Sequence, residues 1–157
     1  LFKNWLLTGM PLVLAGQPTE DTPLLEKQIA SYKYKNDVLL YTDIDIPDLQ
    51  SLTAGAYMLV YPKATGHDYP IRWAFSAGTA VVAAADPRLL EWAGDAVEKL
   101  DPTDINLLAN SMMVLYKDEQ TRSRLAEKGR ELAAGLSRDA TLEAYAAAIQ
   151  QLLLQNG

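Results

Sequence analysis

The sequence predicts an α/β fold, a Rossmann-like parallel sheet flanked by helices and followed by further helices at the C-terminal end. Three observations carry this prediction. Four short apolar runs lack the polar alternation of a half-exposed strand, a stretch with helical character follows the runs in turn, and beyond Asp101 only helical periodicity remains. Strands without alternation suit a sheet covered on both faces, which is the condition of parallel strands joined by helical crossovers.

The first run, Pro11 to Gly16, is closed by glycine. Thr22 to Tyr34 follows, where Pro23 suits a first helical turn and Leu24, Leu25, Gln28 and Ile29 recur at helical spacing. The second run, Val38 to Tyr41, leads to a helix over Ile46 to Ala54, with Pro47 early in it and Leu49 and Leu52 facing the core. The third, Tyr57 to Tyr61, precedes a helix from Pro70 to Ala77, and Ala80 to Ala84 is the fourth. Three helices complete the chain: Asp104 to Tyr116, Asp118 to Ala134 and Ser137 to Leu154. Ile105, Leu108, Met112 and Leu115 form one apolar stripe, and Leu142, Tyr145, Ile149 and Leu152 form another; core packing accounts for both. Gly129 and Gly135 interrupt or end the middle helix, and Gly135 reads best as its cap.

Composition removes several function classes. A chain of 157 residues buries roughly 70% of its unfolded surface, enough for one domain over residues 1–157. With 20 acidic against 14 basic side chains and no basic stripe, nucleic acid is not an expected partner. The absence of cysteine removes disulfides and thiolate chemistry and fits the cytoplasm, and one histidine does not make a multi-histidine metal site, so no metal is expected. Apolar runs such as Leu12 to Ala15 and Val81 to Ala85 fall far short of the ~20 residues of a spanning helix. The expected location is cytoplasmic, or peripheral at the inner membrane face. Leu1 to Leu7 has no signal-peptide character, and the chain is expected to begin inside a larger protein.

Several signatures in order resemble the C-terminal, donor-nucleotide-binding domain of retaining glycosyltransferases with the GT-B fold, of the family-four type. "PLVLAG" is similar to that family's second strand, and "DVLLYTDIDIPDLQSLTAGAYMLVYP" resembles the strand, loop, short helix and strand that lead into the donor site. "GTAVVAAADPRLLEWAGDAVEKLDPTDINLLANSMMVLYKDEQTRSRLAEKGRELA" is similar to the remainder, including a glycine-aspartate-alanine turn and an aspartate-proline before a helix. "LFKNWLLTGM" resembles only the tail of the family's first helix, so the resemblance implies that the first strand and the N-terminal acceptor domain lie outside this chain.

What the resemblance implies is transfer of a sugar from a UDP- or GDP-type nucleotide diphosphate to a glycan or lipid-linked acceptor, with no further cofactor. Such chemistry needs carboxylates to accept ribose hydroxyls and helix N-termini to meet phosphate oxygens, placed beyond the carboxyl ends of the strands. The family carries two glutamates separated by seven residues here. Counting back from Gly78 in "TGHDYPIRWAFSAG" puts Thr65 and Trp73 at those positions, while Gly66, Pro70 and Gly78 match the family. Both acids are replaced. Thr65 keeps a hydroxyl, whereas the Trp73 indole is only a donor.

The expected donor-binding residues are therefore the loop Gly66, His67, Asp68, Tyr69, Pro70, Ile71 and Arg72, together with Gly16 and Gln17 after the first run and Thr42 at the edge of the base pocket. Asp68 serves either as a ribose or sugar ligand or as a helix N-cap. Arg72 either faces a diphosphate or is solvated, His67 either binds donor hydroxyls or phosphate or decorates a surface loop, and Gly16 serves either the nucleotide or only its turn. Asp86 before Pro87 lies on the ligand side of the sheet or only caps the next helix, and Glu91 supports the following turn. Tyr32, Lys33, Tyr34 and Lys35 read as a solvated helix end. No catalytic residue is assigned. Two functions stand side by side: the donor half of an active glycosyltransferase, inactive as an isolated chain, and a degenerate, non-catalytic binding or assembly module of the same fold. A receiver-type domain needs an acidic cluster with a partner lysine that the sequence does not present.

Overall fold

Backbone hydrogen bonding in the computed structural model, which describes residues 9–62, 68–135 and 138–155, builds two compact units, residues 1–52 and 53–157. In the first unit, β1 (Leu12–Ala15) is followed by α1 (Thr22–Ser31), a short 3-10 turn (Lys35–Asp37) and β2 (Val38–Tyr41). The strands pair in parallel, with Leu12 opposite Val38 and Ala15 opposite Tyr41. Helix α1 has proline in its first turn and ends at Tyr32, which turns extended and donates its N–H to the Ile29 carbonyl. It stops short of the expected Tyr34, where the 3-10 turn takes over. Helix α2 (Ile46–Gly55) is capped by Asp45, whose carboxylate accepts from the Asp48 N–H at 2.9 Å.

The second unit contains β3 (Met58–Tyr61), α3 (Tyr69–Ala77), β4 (Ala80–Ala84), α4 (Pro87–Ala93), β5 (Val97–Leu100), α5 (Ile105–Lys117), α6 (Glu119–Gly135) and α7 (Arg138–Gln155). Its strands form a parallel sheet in the order β3-β4-β5, with Met58 opposite Ala80 and Val81 opposite Val97. Central β4 is buried along its whole length. Because side chains alternate along a strand, Val81 and Ala83 enter one core cluster with Ile71, Ala74, Phe75, Leu89 and Ala93, while Ala80 and Val82 enter another with Leu100, Leu115 and Leu125. That two-sided burial is what the unalternating run "AVVAA" requires.

Two glycines let helices approach this sheet. Gly78 ends α3 in the left-handed region (φ 73°), and the Thr79 N–H behind it returns to the Ala74 carbonyl at 2.7 Å. Gly129 does not interrupt α6; the helix runs through it to Gly135. It is buried, and a side chain there would strike the Phe75 ring, so glycine serves the packing of α6 on α3.

Other expectations also give way. Val38–Tyr41 is not buried on both faces, since Leu39 and Tyr41 are about 40% exposed and the strand alternates. Strand β5 lies outside the four apolar runs, because its centre is Glu98-Lys99 and only Val97 and Leu100 are buried. The stripe on α5 is core except at its start: Leu108 packs against the cluster and Leu115 is fully buried, whereas Ile105 is 72% exposed. On α7, Leu142, Tyr145, Ile149 and Leu152 are all exposed, against the expectation of core packing. Helical spacing of apolar residues shows that a helix has an apolar side, not which surface covers it. No helix among the described residues is long and apolar enough to cross a membrane.

Candidate functional site

Parallel strands end together, so the turns after β3, β4 and β5 share one end of the second sheet. An open cleft of about 720 Å³ lies there, lined by Pro62, Ala84, Asp86, Pro87, Asp101 and Pro102. Both of its carboxylates are committed locally. Asp86 caps α4, accepting from the Arg88 N–H at 2.9 Å and the Leu89 N–H at 3.4 Å, and its two oxygens also take the Arg88 guanidinium at 3.3 Å each. The Arg88 side chain, opposed by partial desolvation and helped by these backbone donors, holds the Asp86 carboxyl below its ordinary value. Asp101 accepts from the Thr103 hydroxyl at 2.7 Å and its N–H at 2.9 Å, and these bonds lower its carboxyl likewise. Both are ionised at neutral pH.

The turn entering α3 is built differently. Asp68 occupies the N-cap position, yet its side chain makes no capping hydrogen bond. Its Oδ2 instead accepts from the Trp92 Nε1–H at 3.2 Å, across 24 residues of sequence. The Arg72 guanidinium lies over the Trp92 ring at 4.5 Å, and the same ring meets Phe75 edge-on at 5.7 Å. Arg88 is near enough for the Asp68 charge to help hold its guanidinium protonated, behind the larger effect of Asp86. Asp68, Arg72, Arg88 and Trp92 thus form one cluster at the N-terminus of α3 and beside α4. One carboxylate oxygen and two guanidinium groups of that cluster have capacity to bind polar or anionic groups.

The remaining sequence-expected residues fall as follows. Thr65, Gly66 and His67 lie outside the described residues. Tyr69 is exposed and stacks on Trp73 with ring centroids 6.3 Å apart. Pro70 is in the first turn of α3, and Ile71 is fully buried in the core, leaving only its backbone to a ligand. In the first unit, Gly16 and Gln17 follow β1 and Thr42 follows β2, and the Gly16 N–H donates to the Tyr41 carbonyl at 3.1 Å, closing that end of the strand pair. Glu91 is exposed near the end of α4. Trp92 and Arg88 organise the cluster, yet no local spacing in the sequence links Trp92 to Asp68. Among the described residues no three His, Cys, Asp or Glu side chains gather closely enough to hold a metal ion.

No protein-family model and no curated protein sequence matches the chain. Among solved structures it is similar to sucrose-phosphate synthase from Thermosynechococcus elongatus, with a TM-score of 0.71 and 20% sequence identity over 93% of this chain. The chain spans 39% of the length of that protein. The likeness is one of fold: parallel strands flanked by helices, in the manner of one Rossmann-like half of a GT-B structure.

Proposed function

We propose that the chain is the donor-binding half of a glycosyltransferase that moves a sugar from a nucleotide diphosphate, UDP- or GDP-type, to a glycan or lipid-linked acceptor held by another domain. The observation that carries this reading is the likeness of fold over 93% of the chain to an enzyme named as a sucrose-phosphate synthase. The cluster at the start of α3 supports it chemically. A diphosphate at that helix end meets unpaired backbone N–H groups, the positive end of the helix dipole and the guanidinium of Arg72. The outer oxygen of Asp68 is oriented by Trp92 to accept a ribose or sugar hydroxyl, a role the replaced acids leave open. On the sequence resemblance alone, Gly66 and His67 and, separately, Gly16, Gln17 and Thr42 are further proposed donor contacts.

The test is calorimetric titration of the chain, and of the protein that carries it, with UDP, GDP and their common sugar conjugates. One nucleotide is expected to bind, and Arg72→Ala and Asp68→Ala are each expected to weaken it about tenfold, the loss of one charge-assisted hydrogen bond. No binding across the panel sinks the proposal.

A second reading, a non-catalytic module of the same fold, is favoured by one feature. Trp73, at the counted position of an acid, is paired with Tyr69, and Asp68 already spends an oxygen on Trp92. Under this reading Asp68→Ala and Arg72→Ala leave the parent protein's function intact.

A further inference from the structure

A second polar cavity lies at the opposite, amino end of the same strands and is used by nothing described so far. It has a volume of about 270 Å³ and is lined by Tyr57 just before β3, Gly78 and Ala80 at the start of β4, and Arg122, Ser123, Glu127 and Arg130 of α6. Strands of four or five residues place it roughly 13 Å or more from the carboxyl-end cleft. We propose that this pocket binds a compact phosphate-type oxyanion.

Arg122 is the more buried of the two arginines that line the pocket. Its guanidinium stacks 3.9 Å above the Tyr57 ring, whose hydroxyl is tied to the Tyr116 carbonyl at 3.4 Å. Its Nη2 pairs with Glu119 Oε1 at 2.6 Å, and its side chain is only 16% exposed. Held from two sides, the group keeps its Nη1 buried without a hydrogen-bond partner among the described residues. A buried cationic donor left unpaired is costly, and Arg122 lines the cavity, so a small side-chain shift that brings its Nη1–H to an acceptor bound there relieves that cost.

Arg130 supplies the second cation. Its guanidinium lies against the bare backbone of Gly78, in space that any β-carbon there would occupy. Residues 122, 126 and 130 recur every fourth position on α6, so both guanidiniums lie on one helix face, with small Ala126 between them. The acidic groups nearby are Glu119, committed to Arg122, and Glu127, which takes Arg130 Nη1 at 3.1 Å. The Glu127 pair is exposed on both sides, the kind that an incoming anion displaces or shares readily. Two separate guanidiniums and the Ser123 hydroxyl approach from different directions. A tetrahedral oxyanion, accepting along several lines, matches them better than a planar carboxylate that one guanidinium fork satisfies.

The experiment is a titration of the ¹⁵N-labelled chain with inorganic phosphate, followed by backbone amide shifts. Amides of Gly78, Ser123 and Arg130 are expected to move together along one saturating curve. Arg130→Gln, whose side chain is half exposed and leaves the core intact, is expected to weaken the binding at least tenfold, and Ser123→Asp to abolish it. Arg122→Gln is expected to do the same where circular dichroism shows it folded. Absence of saturable shifts in the wild type overturns the proposal, as does binding unchanged in Arg130→Gln and Ser123→Asp. Shifts confined to Asp68 to Arg72 also overturn it, by placing the ion at the other end of the strands.

Discussion

Two turns at the same end of one sheet, leading from β3 into α3 and from β4 into α4, both place an aspartate at a helix N-cap just ahead of a proline. Asp86 uses its carboxylate on its own helix, capping two N–H groups and pairing with Arg88 two residues on. Asp68 leaves its helix uncapped and gives its carboxylate to Trp92, which in turn rests on buried Phe75. One turn is held by local bonds, the other through a tertiary relay: Asp68, Trp92, Phe75 and, behind the ring, Gly129. The difference teaches that a cap position and a capping function are separable. Where the carboxylate is released from capping, it becomes available as a ligand-binding group.

The largest effect is expected where the relay enters the core. Phe75→Ala removes a fully buried ring and should cost about 3–5 kcal/mol in denaturant unfolding. In native-state hydrogen exchange it should loosen the first turn of α3 more than that of α4; equal loosening of both turns breaks the comparison. Gly129→Ala sets opposing terms against each other. A helix interior gains about 1 kcal/mol on replacing glycine, while forcing the buried Phe75 ring aside costs about 1–3 kcal/mol. Net destabilisation is expected, since the ring has no free space to retreat into, and a more stable variant means that Phe75 moves at no cost.

A smaller change tests the relay at its polar end. Trp92→Phe keeps a ring for Phe75 and Arg72 but deletes the indole N–H, and should cost about 1 kcal/mol, at the low end for a hydrogen bond to a charged group because the site is half exposed. The readout that separates the two turns is nucleotide affinity. Under the proposed function, Asp68 unheld by Trp92 should bind the nucleotide several-fold more weakly, whereas loss of stability alone leaves the affinity of the folded chain unchanged.

How far the sequence carried these conclusions varies with how local the determining interaction is. The run Ala80 to Ala84 and the aspartate-proline at 86–87 were readable because apolar continuity and capping are encoded within a few residues. Strand β5 was not, because it has one neighbour in its sheet and shows charge at Glu98 and Lys99, so only its ends carry the apolar signal. The bond from Trp92 to Asp68 leaves no periodic trace, being set by the packing of α4 beside α3. Nothing local in the sequence sets Arg122 and Arg130 apart from the other cations of a charged helix; their surroundings depend on Tyr57 and Gly78, which only the fold brings to them. The four apolar residues on α7 follow helical spacing, but the helix as a whole is scarcely amphipathic, so their spacing alone did not make a core face.

The smallest expected effect concerns pH and belongs to the local turn. Arg88, and the N–H groups of Arg88 and Leu89, favour the ionised form of Asp86 in the folded chain, so its folded pKa lies below the unfolded value of about 4. The stabilisation is therefore fully present above that value and is lost as pH falls through the lower, folded pKa. Asp95, Asp101 and Asp118 are shifted in the same direction by Lys128, Thr103 and Thr121, so acid lability of the whole chain does not isolate Asp86. The Asp86→Asn variant does, because asparagine still caps but does not titrate or pair with Arg88. The melting temperature of the wild type is expected to exceed that of Asp86→Asn by a degree or two above pH ~5 and to converge on it below pH ~4. A difference that instead grows on acidification means that the Asp86 carboxyl is not the ionised partner of Arg88, and that the β4–α4 turn is held by its backbone alone.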